Sequence, residues 1–320
     1  MSNEPNYLQN IFIRDQETAA SFLATLDGCH AELRDYFPHS VGNQLISGED
    51  DPVDLMPVIN NLFGAGIANY LDKSNQIFAL AIENSVALAE ILNTALPREV
   101  MEIGGSASTK NRIFLNSLLG SPLADELPIK PKNYLEVGCH EGSTFIAALF
   151  GNTNLVEHSY VVDIFMHGEN TEEKFLENCN NFLDDYPVNL FSEDCFKVDL
   201  QKFKEKIDVY NFDGPHAVLD HEKALTYNEP IFQDNIVVVV DDWNDFRVKL
   251  GTLRGLAKID YEVIWFHEMP AQQHMASFGI TDLRRVGLTS SSFPLLNGDG
   301  FGDVARWWNG TMVLALSKKR

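Results

Sequence analysis

The fold is decided by residues 134–144, which read YLEVGCHEGST. A short apolar run leads into a turn flanked by Gly138 and Gly142, and the residues after it suit the start of a helix. Glycine permits the backbone angles of a tight turn and lets a ligand approach the main chain closely. The stretch therefore predicts a strand, a binding turn and a helix, although an ordinary turn with incidental glycines has the same pattern.

The chain from about residue 133 to the C-terminus alternates short apolar strands with amphipathic helices, which predicts a mostly parallel sheet covered on both faces. Residues 236–240 read IVVVV, which is typical of a strand buried on both sides. The predicted strands are Asn133–Val137, Ser159–Asp163, Asn189–Ser192, Asp208–Phe212, Ile236–Val240, Glu262–Phe266 and Thr311–Leu316. The predicted helices between them are Ser143–Phe150, Thr171–Leu183 and His221–Tyr227.

The N-terminal third has a helical pattern instead. Apolar residues at helical spacing predict helices over Asp15–Phe37, Asn75–Leu96 and Thr109–Leu119, and the pair Gly104-Gly105 reads as a hinge. We therefore divide the chain into a helical N-terminal region, residues 1–104, and an α/β domain, residues 105–320. Three roles fit the first region: a cap over a ligand cleft, a wall of a substrate pocket, and an interface between identical copies in a homo-oligomer.

Composition limits the partners. The formal net charge of −22 predicts repulsion of nucleic-acid phosphates and of anionic membranes. No apolar run reaches the roughly 18–20 residues of a membrane span, and the start lacks a basic and apolar leader, so we expect a cytoplasmic protein. Four cysteines without a CxxC pair predict reduced thiols. The acidity is explained by solubility alone, or by a neutral or cationic ligand.

Acidic residues stand at the ends of the first two predicted strands. Glu136 would oppose a pyrophosphate but would suit an ammonium group, and the spacing E-x-G-x-x-x-G differs from the G-x-G-x-x-G of dinucleotide folds, which disfavours a nicotinamide dehydrogenase. Asp163 ends the second strand roughly 25 residues after Gly138, where such folds bind ribose hydroxyls. A helix N-cap is the alternative interpretation of Asp163.

A third acidic turn comes after the third predicted strand. Asp194 is placed to accept a hydrogen bond from the amino group of an adenine, and Phe196 to lie on its ring. Capping of a helix that runs toward Leu200, by Ser192 or Asp194, explains the same residues equally well.

The fourth and fifth predicted strands end in Asp213-Gly214-Pro215-His216 and Asp241-Asp242-Trp243. Neighbouring ends of a parallel sheet share one edge, so Asp213, Asp241 and Asp242 are expected to converge, which raises a pKa or recruits a cation. Oxygen ligands suit Mg²⁺ or Ca²⁺ better than zinc. His216 is a candidate general base. Turn formation and helix capping are the structural alternatives.

With these motifs in order, residues 105–320 resemble class I S-adenosylmethionine-dependent methyltransferases. The closer likeness is to the branch called methyltransferase family 24, which includes macrolide-sugar and catechol-type O-methyltransferases and cephalosporin hydroxylase-like proteins. The motifs that carry it are EVGCHEG at 136–142, Asp163, DGPH at 213–216, DDW at 241–243 and STKNR at 108–112. The residues after His216, AVLDH, depart from the continuation common in related sequences, an aromatic residue and a later acid.

The resemblance implies a Rossmann-like seven-stranded sheet with an antiparallel last strand, and transfer of a methyl group from S-adenosylmethionine to a hydroxyl oxygen of a small molecule, assisted by a divalent cation such as Mg²⁺. The alternative is a hydroxylase-like or non-catalytic binding protein with the same fold. The resemblance implies that Glu136, Gly138 and Gly142 shape the methionine pocket and that Asp163 binds the ribose. The predicted cofactor residues also include Ser143, Asp194, Phe196 and Asp213. The implied metal ligands are Asp213, Asp241 and Asp242, and the implied catalytic residues are His216 and Asp213.

Overall fold

The computed structural model describes residues 57–58, 61, 73–92, 94–120, 131–269, 307 and 310–319. The predicted helix Asp15–Phe37 lies outside these residues. The boundary predicted between residues 104 and 105 stays a prediction. The described helices before that boundary, however, pack into the same core as the sheet.

Seven strands and seven α-helices follow one another in the described residues from 73 onward. The strands are β1 (Asn133–Val137), β2 (His158–Val162), β3 (Val188–Phe191), β4 (Ile207–Phe212), β5 (Phe232–Val240), β6 (Tyr261–Met269) and β7 (Thr311–Lys318). The helices are α1 (Lys73–Glu90), α2 (Arg98–Met101), α3 (Thr109–Leu119), α4 (Ser143–Leu149), α5 (Thr171–Phe182), α6 (Val218–Thr226) and α7 (Phe246–Lys258). Two 3₁₀ turns cover Leu200–Lys202 and Glu229–Ile231.

The strands form one sheet in the order β3-β2-β1-β4-β5-β7-β6. The first five are parallel, and β7 enters antiparallel between β5 and β6. The strand order reverses between β1 and β4, which is where α/β sheets bind ligands. The fold is therefore the predicted Rossmann-like α/β sheet with an antiparallel last strand.

Alternate residues of the strands pack into two apolar clusters. One face, which contains Val237 and Val239 of β5, packs against α1 to α5. The other face, with Ile236, Val238 and Val240, packs against α6 and α7. This arrangement explains why residues 236–240 have no polar alternation, since both sides of β5 are buried.

Helix ends differ from the predicted ones. Helix α1 stops at Glu90, six residues before the predicted end at Leu96, and Leu92 has a left-handed φ of 54° that is incompatible with a continuing helix. The helix predicted to run toward Leu200 is absent between β3 and β4, where a turn and the 3₁₀ turn Leu200–Lys202 replace it. Helix α7 was not among the predicted helices.

Two composition-based predictions bear on the described residues. Cys139, Cys179 and Cys195 are free thiols. In the described part of the chain, no helix has both the length and the apolar character needed to cross a membrane.

Candidate functional site

The predicted site residues line one edge of the sheet, just beyond the carboxyl ends of the parallel strands. The backbone links them in a row: Gly138 N donates to Val162 O at 3.0 Å and Asp213 N to Val137 O at 2.9 Å. At the ends of the row, Asp163 N donates to Phe191 O at 3.2 Å and Asp241 N to Phe212 O at 3.1 Å. The register of the sheet therefore fixes the spacing between the first residues after β1, β2, β4 and β5.

Both glycines of the turn after β1 are required by the fold itself. Gly138 has φ 87°, and a Cβ there would overlap the backbone carbonyl of Asp213. Gly142 has φ 94° and leaves room for the side chains of Ile146 and Phe175. Both positions use conformations that side chains disfavour. The turn thus lies directly against the end of β4.

Glu136 lies beneath this turn, fully buried, and not on its surface. The Tyr134 hydroxyl donates to Oε2, and the Thr144 hydroxyl donates to Oε1 at 2.6 Å. Burial raises the pKa of Glu136 to about 7, against the lowering effect of these hydrogen bonds. Its predicted contact with a ligand ammonium stays a prediction, and the geometry shows Glu136 as the residue that ties β1 to α4.

Asp163 joins the first and second strand ends. Its Oδ2 accepts from His140 N at 2.9 Å and its Oδ1 from Phe165 N at 2.7 Å. Asp163 therefore stabilises the glycine turn, and it does not cap a helix. Each carboxylate oxygen has a second lone pair, so the group can still accept hydrogen bonds from a ligand.

Ser143 and the Gly104-Gly105 pair face each other across the far side of the turn. Ser143 is buried, and a Cβ on Gly105 would overlap its hydroxyl; a Cβ on Gly104 would overlap the Glu141 carboxylate. The predicted hinge is therefore a close contact between the chain before α3 and the start of α4. A contact between Ser143 and a cofactor stays a prediction.

Asp194 and Phe196 lie in the turn after β3. Asp194 Oδ1 accepts from Phe196 N at 2.9 Å, and its Oδ2 pairs with Lys197 Nζ at 2.9 Å; hydrogen bonding to Lys197 lowers the pKa of Asp194. The Phe196 ring meets Tyr227 edge-on and has Lys223 Nζ 5.6 Å from its centroid. These contacts shape a local turn, and the predicted contact with adenine stays a prediction.

Asp213, His216 and Asp242 form the tightest cluster at the edge. One ligand atom from each lies within 4.8 Å of the others. His216 Nε2 is 2.9 Å from Asp242 Oδ2 and 3.8 Å from Asp213 Oδ1. Asp242 has a left-handed φ of 55°, which Asp tolerates better than most residues, and it turns the chain after β5.

Electrostatics hold His216 as a cation in this arrangement. Burial lowers its pKa, but hydrogen bonds and charges from Asp213 and Asp242 outweigh that effect and raise the pKa to about 10. Burial raises the pKa of Asp213 to about 6, so both groups are charged at neutral pH. The predicted role of His216 as general base requires a neutral imidazole, and therefore requires that the two carboxylates be neutralised by another positive charge.

Asp241 lies at the same edge, and its predicted role as a metal ligand stays a prediction. It is buried, and its Oδ1 accepts from Thr311 Oγ1 and from Asn111 Nδ2, each at 3.2 Å. Burial, with Asp213 and Asp242, raises its pKa well above the ordinary value. The structure thus groups His216, not Asp241, with the other two aspartates. Sequence reasoning missed Asn111, whose signal was its place three residues after the helix N-cap Ser108.

No family model and no curated protein matches the sequence. Among solved structures, TrmN from Thermus thermophilus is 12% identical with a TM-score of 0.42, over 69% of this chain and 52% of TrmN, so this chain spans about half the length of TrmN. An O-methyltransferase from Bacillus cereus in complex with SAH is 11% identical, with a TM-score of 0.44 over 74% and 100%. An SAH-bound methyltransferase from Podospora anserina is 12% identical, with a TM-score of 0.40 over 77% and 95%.

Proposed function

We propose that this chain is an S-adenosylmethionine-dependent methyltransferase that acts on a hydroxyl oxygen of a small molecule, with a divalent cation at the acceptor side. One observation carries the proposal: the glycine turn, Asp163 and Asp213 stand in a backbone-linked row at the point where the strand order reverses. Ligands of open α/β sheets bind at that point.

The chemistry of this edge favours a cationic cofactor over a dinucleotide. Glu136 is buried under the turn, and burial together with the nearby charges of Asp242 and Asp163 raises the pKa of Asp213. Phosphates would meet this negative charge unfavourably, whereas the sulfonium and ammonium groups of S-adenosylmethionine would be attracted. When bound, the cofactor supplies a methyl group that is already activated for transfer.

Asp163 is the residue we assign to the ribose hydroxyls. Its carboxylate is only partly buried and is held rigidly by two backbone N–H groups, which fixes the direction of its remaining lone pairs. Glu136 and Thr144 hold the turn in place from below, and Gly138 and Gly142 give it its shape. The adenine assignments of Asp194 and Phe196 belong to the same proposal.

The donors of Asp213, His216 and Asp242 fit a divalent cation. Two carboxylates and an imidazole present their ligand atoms within 4.8 Å of one another at the same edge, with Asp213 and His216 partly exposed and Asp242 buried. A cation bound there would lower the pKa of an acceptor hydroxyl. His216 Nε2 would be a ligand of that cation, so the predicted proton transfer by His216 requires this nitrogen to be free of the cation. The chain must also align the acceptor with the methyl group and exclude water from the reaction.

Transfer of a radiolabelled methyl group to a panel of vicinal diols, phenols and sugars tests the proposal. We expect turnover of at least one acceptor class by the wild-type chain. Asp213→Ala should abolish it while S-adenosylhomocysteine still binds, because the glycine turn and Asp163 are unchanged and this product lacks the sulfonium charge that Asp213 would attract. Iron- and oxygen-dependent product formation without methyl transfer would instead identify a hydroxylase-like enzyme. Unchanged turnover in Asp213→Ala would remove the cation-assisted mechanism.

A further inference from the structure

Asn111 is the centre of a buried network that joins α3 to the sheet edge. Its Nδ2 donates to Thr311 Oγ1 at 2.9 Å and to Asp241 Oδ1 at 3.2 Å, and the Thr311 hydroxyl donates to the same Asp241 oxygen. All three residues are buried. The network therefore connects the first turn of α3, the first residue of β7 and the residue after β5.

The orientation of the Asn111 amide is fixed from the other side. Its Oδ1 accepts from the Ser108 hydroxyl at 2.5 Å, and its backbone N donates to Ser108 Oγ at 3.2 Å. A rotated amide would place its oxygen against Asp241 and its NH₂ group against the Ser108 hydroxyl. The network therefore presents a donor, and not an acceptor, to Asp241.

Asp241 and Asp242 are neighbours in sequence but have different partners. Asp242 Oδ2 lies 2.9 Å from His216 Nε2, whereas Asp241 Oδ1 is engaged by α3 and β7. Asp241 does not belong to the group of ligand atoms made by Asp213, His216 and Asp242. A third carboxylate in that group would add like-charge repulsion.

We propose that Asn111 is a positioning residue, which with Thr311 holds Asp241 out of the Asp213–His216–Asp242 group, so that a cation meets two carboxylates and one imidazole. This inference rests on the proposed function. A site with one imidazole should prefer Mn²⁺ over Mg²⁺ more strongly than a site of carboxylates alone, because an imidazole nitrogen favours Mn²⁺ and later transition metals relative to Mg²⁺.

Binding of Mn²⁺ and Mg²⁺ to the full chain, without acceptor, tests the inference. Mn²⁺ should bind more tightly than Mg²⁺, and its pulsed EPR spectrum should show coupling to an imidazole ¹⁴N that His216→Gln removes. Asp241→Asn keeps an oxygen that accepts both hydrogen bonds, so its Mn²⁺ affinity should stay close to that of the wild type. Asp213→Asn should weaken Mn²⁺ binding by about tenfold or more.

Asn111→Leu provides the sharper test, because it should produce a gain. With the Asn111 amide removed, Asp241 keeps its hydrogen bond from the Thr311 hydroxyl but is held less firmly, so it can turn toward the cation, and Mg²⁺ affinity should rise by about tenfold. The gain should vanish in Asn111→Leu combined with Asp241→Asn. Asn116→Leu is the matched control: Asn116 is on the same helix, but its amide bonds to Ala147 O and Phe150 O, away from the edge. Damage to the fold alone would not tighten Mg²⁺ binding.

Three results would overturn the inference. The first is that Asp241→Asn lowers Mn²⁺ affinity as much as Asp213→Asn does. The second is that the Mg²⁺ affinity of Asn111→Leu equals that of Asn116→Leu. The third is that the wild-type chain binds no Mn²⁺. S-adenosylhomocysteine affinity is measured on the same samples. If the chain shows the expected metal affinities but does not bind S-adenosylhomocysteine, the proposed function is contradicted and the positioning role of Asn111 still holds.

Discussion

Gly138 and Gly151 both have a positive φ, of 87° and 76°, but only Gly138 is packed against another strand. Gly138→Ala would force a Cβ into the Asp213 carbonyl, so we expect it to lower the free energy of unfolding by about 3 kcal/mol or more. Gly151→Ala, with no atom near the new Cβ, should cost only about 1 kcal/mol. Urea denaturation of both variants checks this, and equal losses would contradict it.

His221 makes folding stability depend on pH. It is buried, its Nε2 lacks a hydrogen-bond partner, and its ring meets Phe212 edge-on. Burial first, and then the charge of His216, lowers its pKa to about 3 from 6.5. Because the unfolded chain binds the proton more readily, stability from this group is complete above pH 6.5 and is lost as pH falls toward 3.

The variant His221→Phe should remove that loss. Between pH 6.5 and 4.5, the free energy of unfolding of the wild type should fall more steeply than that of the variant, by up to about 1.4 kcal/mol per pH unit. Urea titrations at several pH values measure both slopes. Parallel slopes would show that His221 is not buried in its neutral form.

The sequence predicts best those residues whose structural role depends on neighbours a few positions away in the chain. The positions of Gly138, Gly142, Asp163 and Asp213 at one edge of the sheet follow from strand, turn and helix signals that lie within a few residues, and their contacts with a ligand stay predictions. Asn111 is missed because its partners lie 130 and 200 residues away in the chain. The sequence also does not show that the ligand atoms of His216 lie closer to Asp213 and Asp242 than those of Asp241 do, since the direction of a side chain after a strand depends on contacts from other elements.

Helix α3 is the element on which the edge depends. Ser108 is its N-cap, with Oγ accepting from Asn111 N, and it is fully buried. Ser108→Ala should lower the free energy of unfolding by about 1 kcal/mol, because an N–H group of the first turn is left without a partner. Thermal or urea unfolding measures the loss.

A matched cap on the opposite face gives the comparison for Ser108→Ala. Asp245 caps α7, and its side chain accepts from Arg247 N. Asp245→Ala should be destabilising to a similar or greater extent, but only Ser108→Ala should alter cation preference, since only α3 carries Asn111. An effect of both variants on cation preference would contradict the special position of α3.

The strands are the best-predicted elements, because continuous β-branched runs bounded by turns have few alternatives. Every predicted strand overlaps an observed one, and β1 has the predicted bounds. Helix ends are less well predicted. The early end of α1 depends on a left-handed Leu92, which no local residue type demanded. Strand order was available only from the family resemblance, since pairing is set by packing between distant segments.

For the whole molecule, the net charge of −22 makes a prediction about nucleic acid. The acidic field should prevent binding of single- or double-stranded RNA at about 150 mM salt, because phosphate contacts need clustered cations. An electrophoretic mobility shift assay with both RNA forms tests this. A salt-dependent shift at micromolar protein would contradict it and would point to a nucleic-acid substrate.

Calorimetry of S-adenosylhomocysteine binding to the full chain is the most direct test of the proposed cofactor. We expect saturable binding of S-adenosylhomocysteine and no heat of binding with NAD. Asp163→Asn should weaken binding by about tenfold, a loss of about 1.4 kcal/mol, whereas Asp199→Asn, which alters a comparable turn at Gln201 N, should not. Binding of NAD, or the lack of any affinity for S-adenosylhomocysteine, would contradict the proposal that this chain uses S-adenosylmethionine.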